Sequence, residues 1–172
     1  MNDSNAMRTI SIEKVVINIG VGEAGEKVEK AVKVLGMITG KKPVLTISKT
    51  TNRDLGIRVG MKIGCKITLR GTDAFEFLKK AFWVKNNKIA SYSIDKEGNF
   101  SFGITDYTLF PGMKYDPEIG ILGMDISCSL KRKAGWRVKY RKIAVNRIGK
   151  KHRIDRNEGV EYIKKSFNVE VI

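Results

Sequence analysis

The chain reads as an α+β protein: an open, largely antiparallel sheet with helices packed on one face, followed by a basic C-terminal extension. Three observations predict this. Four or five short segments alternate apolar and polar residues, two others carry apolar residues at helical spacing, and positive charge gathers in one stretch near the end. Strands covered on both faces read as continuous apolar runs, whereas half-solvated antiparallel strands alternate. The alternation therefore places the helices on one side only. With 172 residues and 42% hydrophobic content, the chain can bury roughly 70% of its unfolded surface around one core. We expect a sheet-and-helix body over residues 1–130 and the extension, ending in a short helix, over 131–172.

Residues 11–19 form the first strand, with Val15, Ile17 and Ile19 on one face and Lys14 and Asn18 on the other. A helix follows over 26–38, its apolar stripe being Val28, Ala31, Val32, Leu35 and Ile38. Gly40 supplies its stop and Pro43 bars its continuation. A second strand spans 44–51, apolar at Leu45 and Ile47, polar at Thr46, Ser48 and Thr50. The turn-rich segment 52–60 carries Arg53 and Arg58, with Lys62 just beyond.

In the third strand, 63–70, Cys65, Ile67 and Leu69 alternate with Lys66, Thr68 and Arg70. Thr72 or Asp73 caps a second helix that runs to about Trp83, with Ala74, Phe77, Leu78, Ala81 and Phe82 inward. Strands over 99–104 and 124–130 flank a Gly/Pro-punctuated loop at 107–120. Phe100 and Phe102 fall on the apolar face and read as core. Asp155-x-x-Glu158 is a capping pair opening a helix with Val160, Ile163 and Phe167. Cys65 and Cys128 lie in strand-like runs and read as small buried hydrophobes of a reducing compartment.

The face opposite the helices then carries Asn18, Thr46, Ser48, Thr50, Lys66, Thr68, Arg70, Ser101 and Ser127. Short hydrogen-bonding side chains with a few cations suit phosphates and ribose hydroxyls. The charge agrees. Of the formal net charge of +15, residues 131–156 hold twelve Lys or Arg against the single acid Asp155. Such a density is at ease beside a polyanion, where each cation displaces condensed counterions. The tail cations Arg137, Lys139, Arg141, Lys142, Arg147, Lys150, Lys151 and Arg153 are therefore assigned to RNA, with His152 as a phosphate contact or a solvated side chain. Trp136 and Tyr140, interleaved with them, either stack on unpaired bases or pin an extended arm to the body.

Gly20-Val21-Gly22-Glu23-Ala24-Gly25 matches the dinucleotide fingerprint between a strand and a helix, the one enzyme hint in the chain. No acid ends the second strand where a ribose would be held, and that strand alternates. The remaining reading is a tight turn whose free N–H groups hold an RNA phosphate. A lone histidine and two distant cysteines do not make a metal set, and no cofactor is expected. No apolar run approaches the ~20 residues of a membrane span. The polar start, residues 1–6, lacks the pattern of a signal peptide, and residues 4–7 read equally as a native start or a cloning remnant. The cytoplasm is the expected location.

Several ordered segments resemble the family of the large-subunit ribosomal protein conventionally numbered five, which binds 5S rRNA. They are IEKVVINIGVG at 12–22, LGMITG at 35–40 through TISKTT at 46–51, and Ile57-Arg58 through IGCKITLRG at 63–71. GNFSFGI at 98–104 and Tyr115-Asp116-Pro117 through GMDI at 123–126 continue the likeness. Lys41 stands where that family usually has Gln, and IGKKHRI at 148–154 resembles the archaeal and eukaryotic branch. The resemblance implies a five-stranded antiparallel sheet whose exposed side grips 5S rRNA in the central protuberance, without catalysis. It implies 5S contacts at Asn18, Thr46, Ser48, Lys49, Thr51 and Thr68, which Lys66 joins. It also implies a loop with Arg53, Arg58 and Lys62 near the elbow of P-site tRNA, and a tail threaded against large-subunit rRNA beside neighbouring ribosomal proteins.

Overall fold

The structure, a computed structural model, describes residues 5–134 and 136–172, and of Trp136 the backbone alone. The first four residues of the polar start, and the Trp136 ring considered for base stacking, lie outside the described residues. The elements follow in the order β1 (Ile10–Gly20), α1 (Glu26–Thr39), β2 (Val44–Ile47), β3 (Lys62–Leu69), α2 (Thr72–Val84), β4 (Lys88–Ile89), β5 (Phe100–Ile104), β6 (Met124–Arg132), α3 (Trp136–Tyr140), α4 (Arg156–Phe167) and β7 (Glu170–Val171).

The main sheet has five strands in the order β2-β3-β1-β6-β5, and every pair is antiparallel. β1 is central because it is the longest strand and its Val15, Ile17 and Ile19 are fully buried. Cys65, Ile67 and Leu69 flank them on β3, and Ile126 and Cys128 on β6, where Leu130 pairs with Ile12. Both thiols are buried, which pushes that of Cys65 up to about 11 and that of Cys128 higher still.

α1 packs over β3 and α2 over β1, on one side of the sheet only. The inward face of α2 is the expected one, Ala74, Phe77, Leu78, Ala81 and Phe82. Its N-cap is Gly71, however, one residue before Thr72, and no side chain caps it. On α1 the stripe turns slightly, so that Val34 is buried while Val32 and Ile38 are half-buried. Phe82 stacks on Phe102 at 5.4 Å and meets Phe167 of α4 edge-on at 5.0 Å, tying sheet, α2 and α4 into one core.

The chain beyond β6 is of two kinds. Residues 137–151 are largely exposed, whereas Ile154, Ile163 and Val169 are buried in the same core as the sheet. β7 pairs with β4 in a small parallel ladder, a long-range pairing of two-residue strands too short to leave a periodicity. Asp155 and Glu158 form the expected capping box of α4, with the Asp155 N–H donating to Glu158 at 3.2 Å. Glu158 also accepts from the buried guanidinium of Arg132 at 2.5 and 2.7 Å. Burial opposes its ionisation, but Arg132 and the Asp155 N–H outweigh that and hold its pKa below the ordinary value.

α4 lies on the turn at Gly98, backbone against backbone. A Cβ on Gly159 would stand 2.7 Å from the Gly98 Cα and 3.1 Å from its carbonyl oxygen. Gly to Ala inside a helix ordinarily gains about 0.5–1 kcal/mol. Here the neighbour is main chain and cannot rotate away, so Gly159→Ala is expected to cost about 1–3 kcal/mol instead. Urea unfolding of the two proteins measures it, and a stabilised variant would refute the close packing.

Candidate nucleic-acid interface

The uncovered face of the sheet is built in cross-strand rows. One row runs Val44, Lys66, Asn18, Asp125, Gly103, and the next runs Thr68, Val16, Ser127, Ser101. Lys66, Thr68, Ser101 and Ser127 are exposed or partly exposed, and Asn18 is half-exposed. Asn18 stands between the ammonium-bearing and carboxylate-bearing strands, so its amide can both donate and accept. Asp125, exposed beside Asn18, adds an acid to this face.

At β2 the expectation needs correction. The strand ends at Ile47 rather than Thr51, and Ser48 is only 4% exposed. Its hydroxyl donates to the Thr50 carbonyl at 2.7 Å, so Ser48 holds the turn and does not present itself on the open face. Leu45 and Ile47, expected inward, are exposed instead, Ile47 by 60%. The cause is position: β2 is the edge strand beyond the layer covered by α1, and its register slips between Thr46 and Ile47. Thr46 is half-exposed, with its Oγ1 over Gly64, where a Cβ would come within 3.0 Å of it. Lys49 and Thr51 are exposed beside the strand, and Thr51 accepts from the Val59 N–H at 3.2 Å. Lys41 pairs with Asp73, joining the end of α1 to the start of α2.

Arg53 and Arg58 stand exposed on a compact loop, and Lys62 stands exposed at the first position of β3, where that loop ends. Asn52 and Ile57 exchange two backbone hydrogen bonds, 2.9 and 3.0 Å, across its tip, and Gly60 N–H returns to the Ser48 carbonyl at 3.0 Å. The loop thus projects its cations from a fixed base.

The glycine turn is not a nucleotide cradle. Both the Val21 and Gly22 N–H groups donate to the Ile63 carbonyl at 3.0 Å, leaving neither for a phosphate. β1 is antiparallel to both neighbours, so the strand–helix–parallel strand unit that a dinucleotide fold requires does not exist here.

The basic segment is fastened beside the open face by a group that parity would send elsewhere. Glu13 shares the odd phase of Val15, Ile17 and Ile19, but the β1–β6 register slips between Ile12 and Lys14. This β-bulge re-aims Glu13. Its carboxylate, in a residue only 5% exposed, accepts from Ser129 at 3.2 Å and from the hydroxyl of Tyr140. Residues 136–140 are helical, not the extended arm expected, and Tyr140 pins them to the body. A charge in the apolar phase of β1 was the signal that could have found the bulge.

Arg137, Lys139, Arg141, Lys142, Arg147, Lys150 and Lys151 are exposed. Some tail groups are also engaged within the fold: Arg153 pairs with Glu97 at 3.0 Å, Arg141 donates to the Ala144 carbonyl at 2.7 Å, and His152 Nε2 lies 2.7 Å from the Ala134 carbonyl. That ring nitrogen serves the fold, so His152 is not simply solvated.

Comparison with known proteins decides the family. Residues 5–58 match the family model described as Ribosomal protein L5, and residues 62–162 match the model for the C-terminus of the same ribosomal family. The chain belongs to the ribosomal L5 family. Its L5 relatives include the large ribosomal subunit protein uL5 of Picrophilus torridus, 53% identical, with the match covering 98% of this chain and 96% of that one. Those of Thermoplasma volcanium (53%; 98% and 99%) and Sulfurisphaera tokodaii (48%; 98% and 95%) are similar over the same extent. The sources are archaeal, within the archaeal and eukaryotic branch that the 148–154 segment resembles. L5 proteins are structural components and not enzymes. Among the described residues no helix is long and apolar enough to cross a membrane.

For Glu13, burial works against ionisation, but the Tyr140 hydroxyl, Lys139, Ser129 and Lys14 together lower its pKa from the ordinary value. The bond to Glu13 raises that of Tyr140. The contribution of Glu13 is therefore present above the ordinary carboxylate pKa and lost as pH falls through its depressed folded value. That of the neutral phenol is present below the ordinary tyrosine pKa and lost at higher pH. Tyr140→Phe is expected to cost about 1 kcal/mol at pH 7 and to speed tryptic cleavage between residues 137 and 153 severalfold. In urea unfolding the difference between the two proteins should shrink as pH falls through the depressed folded value of Glu13; a difference constant with pH would contradict the latch.

Proposed function

We propose that this chain, as a structural constituent of the large ribosomal subunit, binds 5S rRNA with the open face of its sheet and helps form the central protuberance. Asn18, Lys66 and Thr68 meet the RNA from the face, with Thr46, Lys49 and Thr51 from its β2 edge. The loop carrying Arg53, Arg58 and Lys62 reaches towards P-site tRNA, and the exposed cations of residues 137–151 run along large-subunit rRNA beside neighbouring ribosomal proteins. It works in the cytoplasm, on the ribosome. One observation carries this reading: a polar sheet face left uncovered by helices, with a cationic segment tethered beside it through Glu13 and Tyr140.

Two terms separate in the mechanism. The face recognises a folded RNA by short hydrogen-bonding side chains, which carry shape and 2′-hydroxyl selectivity. The basic segment adds affinity that is indifferent to sequence and sensitive to salt. Deleting everything after Leu130 would strip Ile163 and Val169 from the core, so substitution is the appropriate test.

With about six phosphates neutralised, log K against 5S rRNA should fall with log salt at a slope of about −4 to −5. Replacing Arg137, Lys139, Arg141, Lys142 and Lys150 by Gln should flatten that slope by several units while the preference for 5S over an unrelated RNA of equal length survives. Asn18→Ala with Thr68→Ala should do the reverse, eroding preference and sparing the slope. An affinity independent of salt would rule the mechanism out.

A further inference from the structure

At the β5 end of the polar face the sheet is bordered by a trough, and one aromatic residue stands over it. After α2 the chain passes through Asn86 and Asn87, both left-handed, then β4, then a 3₁₀ turn at Ser91–Ser93, before Ile94 bridges Phe100. Tyr92, at the crown of that turn, is 89% exposed, more than any other large hydrophobic side chain among the described residues. Its backbone is held from several sides. Ser91 N–H donates to the Ile172 carbonyl at 2.6 Å, Ser93 N–H to Ala90 at 3.0 Å, and the Arg156 guanidinium donates to the Ser91 carbonyl. A phenol ring is thus displayed to water from a fixed mount, with its hydrophobic surface unused.

The trough has a volume of about 650 Å³, with Tyr92, Lys85 and Lys88 among its lining residues and Ser101, Ser127 and Asp125 supplied by the sheet. That size admits a small polar ligand. The chemistry is graded across it. Two ammonium groups accompany the aromatic ring, hydroxyls come from the sheet, and a single carboxylate is there to accept a hydrogen bond. Phosphate is attracted to the lysines and repelled by Asp125. An exocyclic base amine has a partner in Asp125, and ribose hydroxyls have partners in the serines.

We propose that Tyr92 is a stacking platform for an unpaired ribonucleotide of the bound RNA. The base lies on its ring, the flanking phosphates approach Lys85 and Lys88, and the ribose meets Ser101 and Ser127. Sequence-tolerant stacking of this kind needs only a π face and nearby cations. The inference rests on the proposed RNA-binding role of the face and extends it from β1 and β3 to its opposite edge. It also gives a task to a lysine-bearing segment outside the basic tail.

The test uses the full chain and transcribed 5S rRNA of Thermoplasma volcanium. Stacking worth about 1–3 kcal/mol predicts that Tyr92→Ala weakens binding roughly 5- to 150-fold. Tyr92→Phe should stay within about twofold. Lys85→Ala with Lys88→Ala should reduce the salt slope by about 1.4–1.8. Ultraviolet cross-linking followed by mass spectrometry should join Tyr92 to one nucleotide. Because Tyr92 is exposed, its variants are not expected to disturb the fold, which circular dichroism checks. Unchanged binding by Tyr92→Ala, with the preference for 5S rRNA still eroded in the Asn18→Ala, Thr68→Ala pair, overturns the platform and leaves the face. An equal loss in Tyr92→Phe overturns stacking in favour of a hydroxyl bond. A wild-type protein with no preference for 5S rRNA over an unrelated RNA overturns both readings.

Discussion

Helices on one side of a five-stranded sheet force each strand to serve two solvents, and everything else in the molecule depends on this. On the inner side, β1, β3 and β6 place branched aliphatic residues and two thiols against α1 and α2. On the outer side the same strands must offer groups that water or another polar partner can satisfy. Asn18, between Lys66 and Asp125, is a consequence of that division. The side that builds the fold and the side left open to a polar partner are printed on alternate residues of one strand. A one-residue slip would therefore exchange them wholesale.

The slip that does occur in β1, the bulge at Glu13, is put to use. It turns a carboxylate out of the aliphatic phase and gives the basic segment a fixed attachment. A segment so rich in like charges repels itself, and a buried acid is a suitable anchor because it offsets neighbouring Lys14 and Lys139 while accepting from Tyr140. Beyond the segment, α4 returns to the body, where Ile163 is buried and Phe167 joins the aromatic cluster around Phe82. The cationic stretch is thereby a loop closed at both ends, and holding it in place lowers the ordering cost that the proposed RNA contact would carry.

Much of this was legible before any coordinates. Strand alternation identified the inner residues of β1 and β3 and the apolar phase of β5, the α2 stripe was read residue for residue, and the capping pair of α4 was found from its spacing. What failed did so where long-range geometry overrides local pattern. Ser48 and Ile47 exchanged their expected environments because edge position and a register shift are properties of the sheet, not of the segment. β4 and β7 are too short to leave a period, and the Glu13–Tyr140 contact joins positions 127 apart in the chain. Tyr107, assigned to a loop, is fully buried and accepts from the Asp116 N–H, a role that no neighbouring residue announces. The candidate interface was visible as a set of polar phases, while its membership at β2 and the engagement of His152 and Arg153 needed the fold.

The outer edge of β2 has a bearing on the life of the free protein. An edge strand with one side open, carrying exposed Val44 and Ile47, is a template on which another copy could add itself. The exposed charges at Lys42 and Lys49 stand around it as gatekeepers and make such stacking electrostatically unfavourable. Solubility between synthesis and assembly is thus guarded in part by Lys49, itself a candidate for the final complex. Removing the two lysines would expose the newly made chain to self-association before it could reach its place.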